Sequence, residues 1–138
     1  PCTMILVKNP VGLEAGLREA SKLEPLGAVV LMMNKRVNDG RDDSWLNNLD
    51  YQKLLPPAVL EGQAPVFICG ESGEYLSQIL NERGISHQLC PDYTSAFDQA
   101  LAASPEGSKL CILPNYSAML DFRSELVKRY NLPEFWER

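Results

Sequence analysis

The chain has 138 residues, 45% of them hydrophobic, with 13 basic and 18 acidic side chains and a formal net charge of -5. That is enough apolar chain for one domain with a core that needs no disulfide or metal staple. Basic residues scattered among a larger number of acids argue against a nucleic-acid or anionic-membrane surface, and no apolar run approaches the roughly 18 residues of a membrane span. No signal-peptide pattern is present, so a cytoplasmic setting is expected. The sequence opens on Pro1-Cys2-Thr3 without an initiator methionine and runs directly into a strand-like segment, which leads us to expect a single domain, residues 1–138, cut from a longer chain.

Apolar strand-like runs alternate along the chain with segments of helical period. Met4–Val7 is followed by Leu13–Leu23, and Ala28–Met33 by a polar loop and a helical segment Tyr51–Leu60. Val66–Cys69 is followed by Tyr75–Glu82, His87–Cys90 by Ser95–Ala103, and Leu110–Leu113 by Ala118–Tyr130. Five such steps predict an α/β fold with a doubly wound, mainly parallel sheet of Rossmann-like type. Leu13, Leu17 and Ala20, like Leu76, Ile79 and Leu80, keep the spacing of a helix packed on a sheet, so these stripes belong to the core. Leu55-Pro56-Pro57 and the stretch Glu61–Pro65 punctuate the middle, and there is no internal repeat.

The loop Asn38-Asp39-Gly40-Arg41-Asp42-Asp43-Ser44-Trp45 crowds three carboxylates, a guanidinium and an indole behind the apolar run Ala28–Met33. A buried parallel strand releases such a loop at the carboxyl edge of the sheet, where α/β proteins place ligands and partners. Gly40 permits a sharp turn there. An Asn-, Asp- and Gly-rich stretch is also what an ordinary solvated turn looks like. Arg41 and Trp45 are residues that a turn does not need. Other loops at this edge are Lys8-Asn9-Pro10-Val11-Gly12, whose amides at a helix start suit an anion, then Gly70-Glu71-Ser72-Gly73, which lacks both phosphate-loop patterns, and Pro114-Asn115-Tyr116-Ser117. Each is individually compatible with a plain connecting turn.

Cys2, Cys69, Cys90 and Cys111 have no Cys-x-x-Cys spacing, and the last three lie in or beside apolar strands. They are expected to be reduced and structural, with no metal bound. His87 is the only histidine. It is expected at a strand end, and it gives neither a metal site nor a self-contained Cys-His pair. Trp45, Tyr51 and Tyr116 are candidate interface anchors, or else core aromatics. Phe135 and Trp136 form either a tail that packs back or the stub of a linker.

The order Lys8-Asn9-Pro10-Val11-Gly12, then Asn38-Asp39-Gly40-Arg41-Asp42 with Ser44, Trp45 and Asp50, then Gly70, then Pro114-Asn115-Tyr116-Ser117 with Leu120, resembles the C-terminal domain of the MurT family, over nearly the whole chain from Lys8 to about Leu126. These are Mur-ligase-like subunits of lipid II isoglutaminyl synthase that work with a GatD glutaminase. The resemblance implies a Mur ligase C-terminal type of fold, in a protein whose ATP- and Mg-binding domain and inserted zinc ribbon lie upstream of this chain, with no cofactor in this domain. It implies an activity in which GatD releases ammonia from glutamine and the ligase amidates the D-glutamate α-carboxyl of lipid II at the inner face of the membrane. By position, Asp42 matches the acid that completes a Cys-His-Asp triad across the two chains. Asp39, Gly40, Arg41, Ser44, Trp45, Asp50, Lys8, Asn9, Asn115 and Tyr116 are the expected partner or substrate contacts.

A cysteine nucleophile needs a base, and the base needs an acceptor on its far nitrogen. One carboxylate on a projecting loop can supply that acceptor, while the domain by itself is expected to be inactive. The chain departs from the family pattern at Asn34-Lys35-Arg36, where Asn-Asp-Asn is usual, at Asn48, where an acid is usual, and at Glu71-Ser72, where an arginine is common. A non-catalytic docking or ligand-binding module is the alternative reading.

Overall fold

The structure, a computed structural model, describes residues 2–36 and 42–130. In chain order its elements are β1 (Cys2–Met4), α1 (Pro10–Ala20), β2 (Leu26–Met32), a 3-10 turn (Ser44–Asn48), α2 (Tyr51–Leu54), α3 (Pro57–Leu60), β3 (Val66–Cys69), α4 (Gly73–Glu82), β4 (Gln88–Leu89), α5 (Tyr93–Ala103), β5 (Lys109–Pro114) and α6 (Tyr116–Tyr130). The five strands form one sheet in the order β1-β5-β2-β3-β4, and every pairing is parallel. The doubly wound α/β expectation holds.

Side-chain alternation along the central strand explains the two layers. Val29, Leu31 and Met33 face a core built with α1, α2, α3, α4 and the 3-10 turn, whereas Ala28, Val30 and Met32 face a second core under α5 and α6. A strand covered on both sides must be apolar at every position, which is why β2 reads as an unbroken hydrophobic run. β4 is the opposite case, a two-residue edge strand with both residues exposed. So short an edge limits pairing with other chains.

Several element ends move relative to the sequence reading. β1 begins two residues earlier than expected, although its ladder continues, with Ile5 N donating to Ile112 O and Val7 N to Pro114 O, each at 2.9 Å. α1 and α5 start earlier because Asn9 and Asp92 cap them, accepting from Gly12 N at 2.8 Å and Ser95 N at 2.7 Å, and Pro10 takes a first-turn position that needs no amide hydrogen. The single helix expected over Tyr51–Leu60 is two four-residue helices. Leu55 precedes a proline, which disfavours helical backbone, and it is extended at ψ 146°.

Tyr51 belongs to the core rather than to an interface. It is completely buried, its hydroxyl donates to Leu46 O at 2.6 Å, and the Arg83 guanidinium lies 5.2 Å from its ring centre. Arg83 also donates to the carbonyls of Asn47 and Leu49, so the 3-10 turn is pinned to the end of α4. Removing the hydroxyl by Tyr51→Phe leaves a buried carbonyl without its donor, and should cost about 1 kcal/mol. Urea unfolding checks this; an unchanged midpoint would mean that water takes the donor's place.

Candidate functional site at the carboxyl edge

Neighbouring strands β2 and β5 send their chains to opposite faces of the sheet, opening the crevice that α/β proteins use for ligands and partners. A clasp of two asparagines closes its floor. Asn34 N donates to Asn115 Oδ1 at 3.1 Å, and Asn115 Nδ2 donates to Asn34 O at 2.7 Å. The Asn34 side chain then donates to Tyr93 Oη at 2.7 Å and Ser117 Oγ at 3.2 Å, and accepts from Glu71 N at 2.9 Å. Around this floor lie charges: Arg36 bridges Glu71 at 3.0 Å and Asp121 at 2.8 Å. Tyr93 Oη donates to Asp121 Oδ2 at 3.1 Å. Arg36 and Glu71 thus bond each other.

The described part of the acidic loop, Asp42–Trp45, reaches this crevice through Asp43, which bonds Ser72. Asn38, Asp39, Gly40 and Arg41 lie outside the described residues. Asp42 is exposed, and Oδ1 accepts from Ser44 N at 3.0 Å. Hydrogen bonding from Ser44 holds its carboxyl below the usual value of 3.8. Asp43 has a different role, because Oδ2 accepts from Ser72 Oγ at 2.8 Å. Ser44 opens the 3-10 turn, and Trp45 is half-buried against the first core. Asp50 is exposed just before α2, its side chain making no cap bond, in a groove of about 690 Å³ that it shares with Pro10, Val11, Glu14 and Lys53.

The other expected contacts follow β1 and β5, whose chains run side by side where Val7 N donates to Pro114 O at 2.9 Å. Lys8 is exposed and Asn9 caps α1, taking the Gly12 amide for itself. Tyr116 is exposed at 37%, while Asn115 is buried and committed to the clasp. His87 precedes β4, bonded through Nε2 to Ser77 Oγ at 2.6 Å and through Nδ1 to Ile85 O at 2.9 Å. All four cysteines are reduced, and burial pushes the Cys69 and Cys111 thiols up to about 12. Among the described residues no three of His, Cys, Asp and Glu group so as to hold a metal ion.

Sequence reasoning gave no role to Tyr93, Asp121 or Glu125. Glu125, with Asn34, Gly70, Glu71, Asp92 and Tyr93, lines a cavity of about 310 Å³. Its Oε2 is buried without a hydrogen-bond partner, and burial, then Asp92 and Asp121, push the pKa of its carboxyl above the usual 4.5. A raised carboxyl means that the folded state binds the proton more tightly than the unfolded one. The penalty for the charge is therefore full above the raised value and vanishes below 4.5. Glu125→Gln should raise stability at pH 7 by about 1 kcal/mol, and the gain should disappear near pH 4. Melting curves of both proteins at the two pH values test this; a gain that persists in acid would assign it to something other than the charge.

Comparison with known proteins bears on most of the chain. The MurT ligase C-terminal family model matches residues 6–119. The chain belongs to this family. It is 41% identical over 125 residues to the lipid II isoglutaminyl synthase (glutamine-hydrolyzing) subunit MurT of Staphylococcus aureus (strain COL), a match covering 91% of this chain and 28% of that protein. To the subunit of the same name from Streptococcus pneumoniae (strain ATCC BAA-255 / R6) it is 29% identical over 131 residues, covering 93% of this chain and again 28% of the relative. The chain therefore spans about 28% of the length of these MurT relatives. The all-parallel sheet with helices on both faces fits a Mur ligase C-terminal domain of this family.

Proposed function

We propose that this chain is the C-terminal domain of the ligase subunit of a two-subunit, ATP-dependent lipid II isoglutaminyl synthase. In this reading a GatD-like glutaminase docks at the carboxyl edge of the sheet, and Asp42 completes the glutaminase triad by accepting from the far nitrogen of its histidine. The amide product is formed at the D-glutamate α-carboxyl of the lipid-linked precursor, at the inner face of the membrane. ATP, Mg and a structural zinc belong to domains outside this chain.

The observation that carries the reading is the division of labour between two adjacent acids. Asp43 is committed to Ser72, whereas Asp42 stands exposed and ionised, its described hydrogen bonding confined to Ser44. An acceptor for a histidine on another chain must have a reachable oxygen and a charge that survives near neutrality. Asp42 has both. Trp45 and Tyr116, aromatic and accessible at the same edge, suit the anchoring of a partner. The test is Asp42→Asn in the assembled complex, assayed with glutamine and separately with an ammonium salt. Loss with glutamine and recovery with ammonia support the triad role; full activity with glutamine favours a docking module without a catalytic acid.

A further inference from the structure

We propose that the turn Glu71-Ser72 is a positioning clamp that grips the acidic loop at both ends and thereby sets the aim of Asp42. This rests on the triad reading above and adds to it the residues that hold the acid in place.

Both described ends of the loop are bonded to this one turn. At the outgoing end Glu71 accepts from Lys35 N at 3.1 Å and from Arg36 Nε at 3.0 Å. At the returning end Ser72 Oγ donates to Asp43 Oδ2 at 2.8 Å, one residue from Asp42. The turn itself is anchored on the sheet: Ser72 N donates to Met33 O at 2.8 Å and Glu71 N to Asn34 Oδ1 at 2.9 Å. Gly70 makes that approach possible, since it sits at φ +102° and a Cβ there would lie 2.2 Å from Met33 O.

Ser72 shows that the contact has been diverted from an ordinary use. It occupies the N-cap position of α4, where a serine hydroxyl usually accepts from an amide in the first turn. Ser72 makes no such bond. Although only 1% exposed, its hydroxyl is turned to the loop instead. A hydrogen bond to a carboxylate is among the stronger kinds, and a reacting group displaced by about 1 Å can lose on the order of 10² in rate. Clamping the neighbour of an exposed acid is a way to orient that acid without covering it.

The test uses the full-length ligase subunit with its glutaminase, and compares Ser72→Ala, Asp43→Ala, their double variant and Asp43→Asn. Ser72→Ala leaves the backbone bonds of the turn in place. Turnover with glutamine should fall about tenfold in each alanine variant, a figure set by the usual worth of a charge-assisted bond. The double variant should fall no further than the worse single one, and Asp43→Asn, whose amide oxygen still accepts from Ser72, should keep most of the activity. Amidation with ammonium salt should stay unchanged throughout. Losses that multiply, equal losses with ammonia, or a Ser72→Ala enzyme with undiminished glutamine turnover would overturn the clamp.

Amide exchange at Ser44 and Leu46 separates this proposal from the triad reading. Those amides are held by Asp42 and by Asp43 O, and they should exchange about tenfold faster in Ser72→Ala. If Asp42→Asn leaves glutamine turnover intact, the triad reading falls, and exchange alone decides the clamp: faster exchange supports it, unchanged exchange refutes it.

Discussion

Glutamine turnover by the complex should fall by on the order of 10² or more in Asp42→Asn, while the fold is untouched. An exposed loop substitution typically shifts stability by under about 0.5 kcal/mol, and Asp42 is exposed with its bonding local to Ser44. An asparagine can keep the bond to the Ser44 amide, yet it cannot supply the charge that fixes the histidine tautomer and stabilises the imidazolium. In a serine-protease triad that change costs roughly 10⁴; a thiol is more easily activated, hence the smaller figure here. Free ammonia enters after the glutaminase step and should restore amidation. Equal failure with ammonia would move Asp42 to the ligase step or to assembly. If neither activity falls, Asp42 is not the triad acid: either the domain is a docking module without one, or another acid does the work, and then Asp39 or Asp50 is preferred to Asp43, which Ser72 already occupies. The Ser44 bonds hold the Asp42 carboxyl below its usual value of 3.8, so it is ionised near neutrality.

What could be read from the sequence depended on range. Unbroken apolar runs such as Ala28–Met33 and Val66–Cys69 announce buried parallel strands because their cause, cover on both faces, acts on every residue of the strand. Helix starts were less legible, since a cap such as Asn9 or Asp92 acts through a single side chain. The break between α2 and α3 is written in Pro56 and Pro57, which override the helical period of Tyr51–Leu60. The exposed acid at Asp42 was legible as local chemistry. The clasp was not: Asn34 and Asn115 are 81 residues apart, and Asn34 and Tyr93 are 59 apart. Only the strand order brings the ends of β2 and β5 together. A polar residue directly after each of two buried strands was the available signal, and it needs the topology before it means anything. Glu71 and Ser72 were legible as a loop at this edge, but their bonds to Arg36 and Asp43 join segments 35 and 29 residues apart and again need the topology.

Asn115→Ala should be the most damaging single change at this edge, costing roughly 3 kcal/mol. The Asn115 side chain satisfies both backbone groups of Asn34, accepting from its N at 3.1 Å and donating to its O at 2.7 Å. Asn34 is 4% exposed and Asn115 6%, so water has little access to the groups left behind. Each unsatisfied buried backbone group costs about 1–3 kcal/mol, and two are created at once. Asn115→Asp isolates the donor half, because a carboxylate still accepts from Asn34 N but sets an oxygen against Asn34 O; it should be nearly as damaging at neutral pH and recover in acid, as protonation restores a donor. Tyr116→Ala, an exposed neighbour, provides the control and should change stability by under about 0.5 kcal/mol. Urea unfolding of the three variants, with the slope unchanged and the midpoints shifted, gives the measurement. A loss under about 1 kcal/mol for Asn115→Ala would mean that water enters the crevice and replaces the amide, and the clasp would then be a convenience of packing rather than the element that joins β2 to β5 beneath the site.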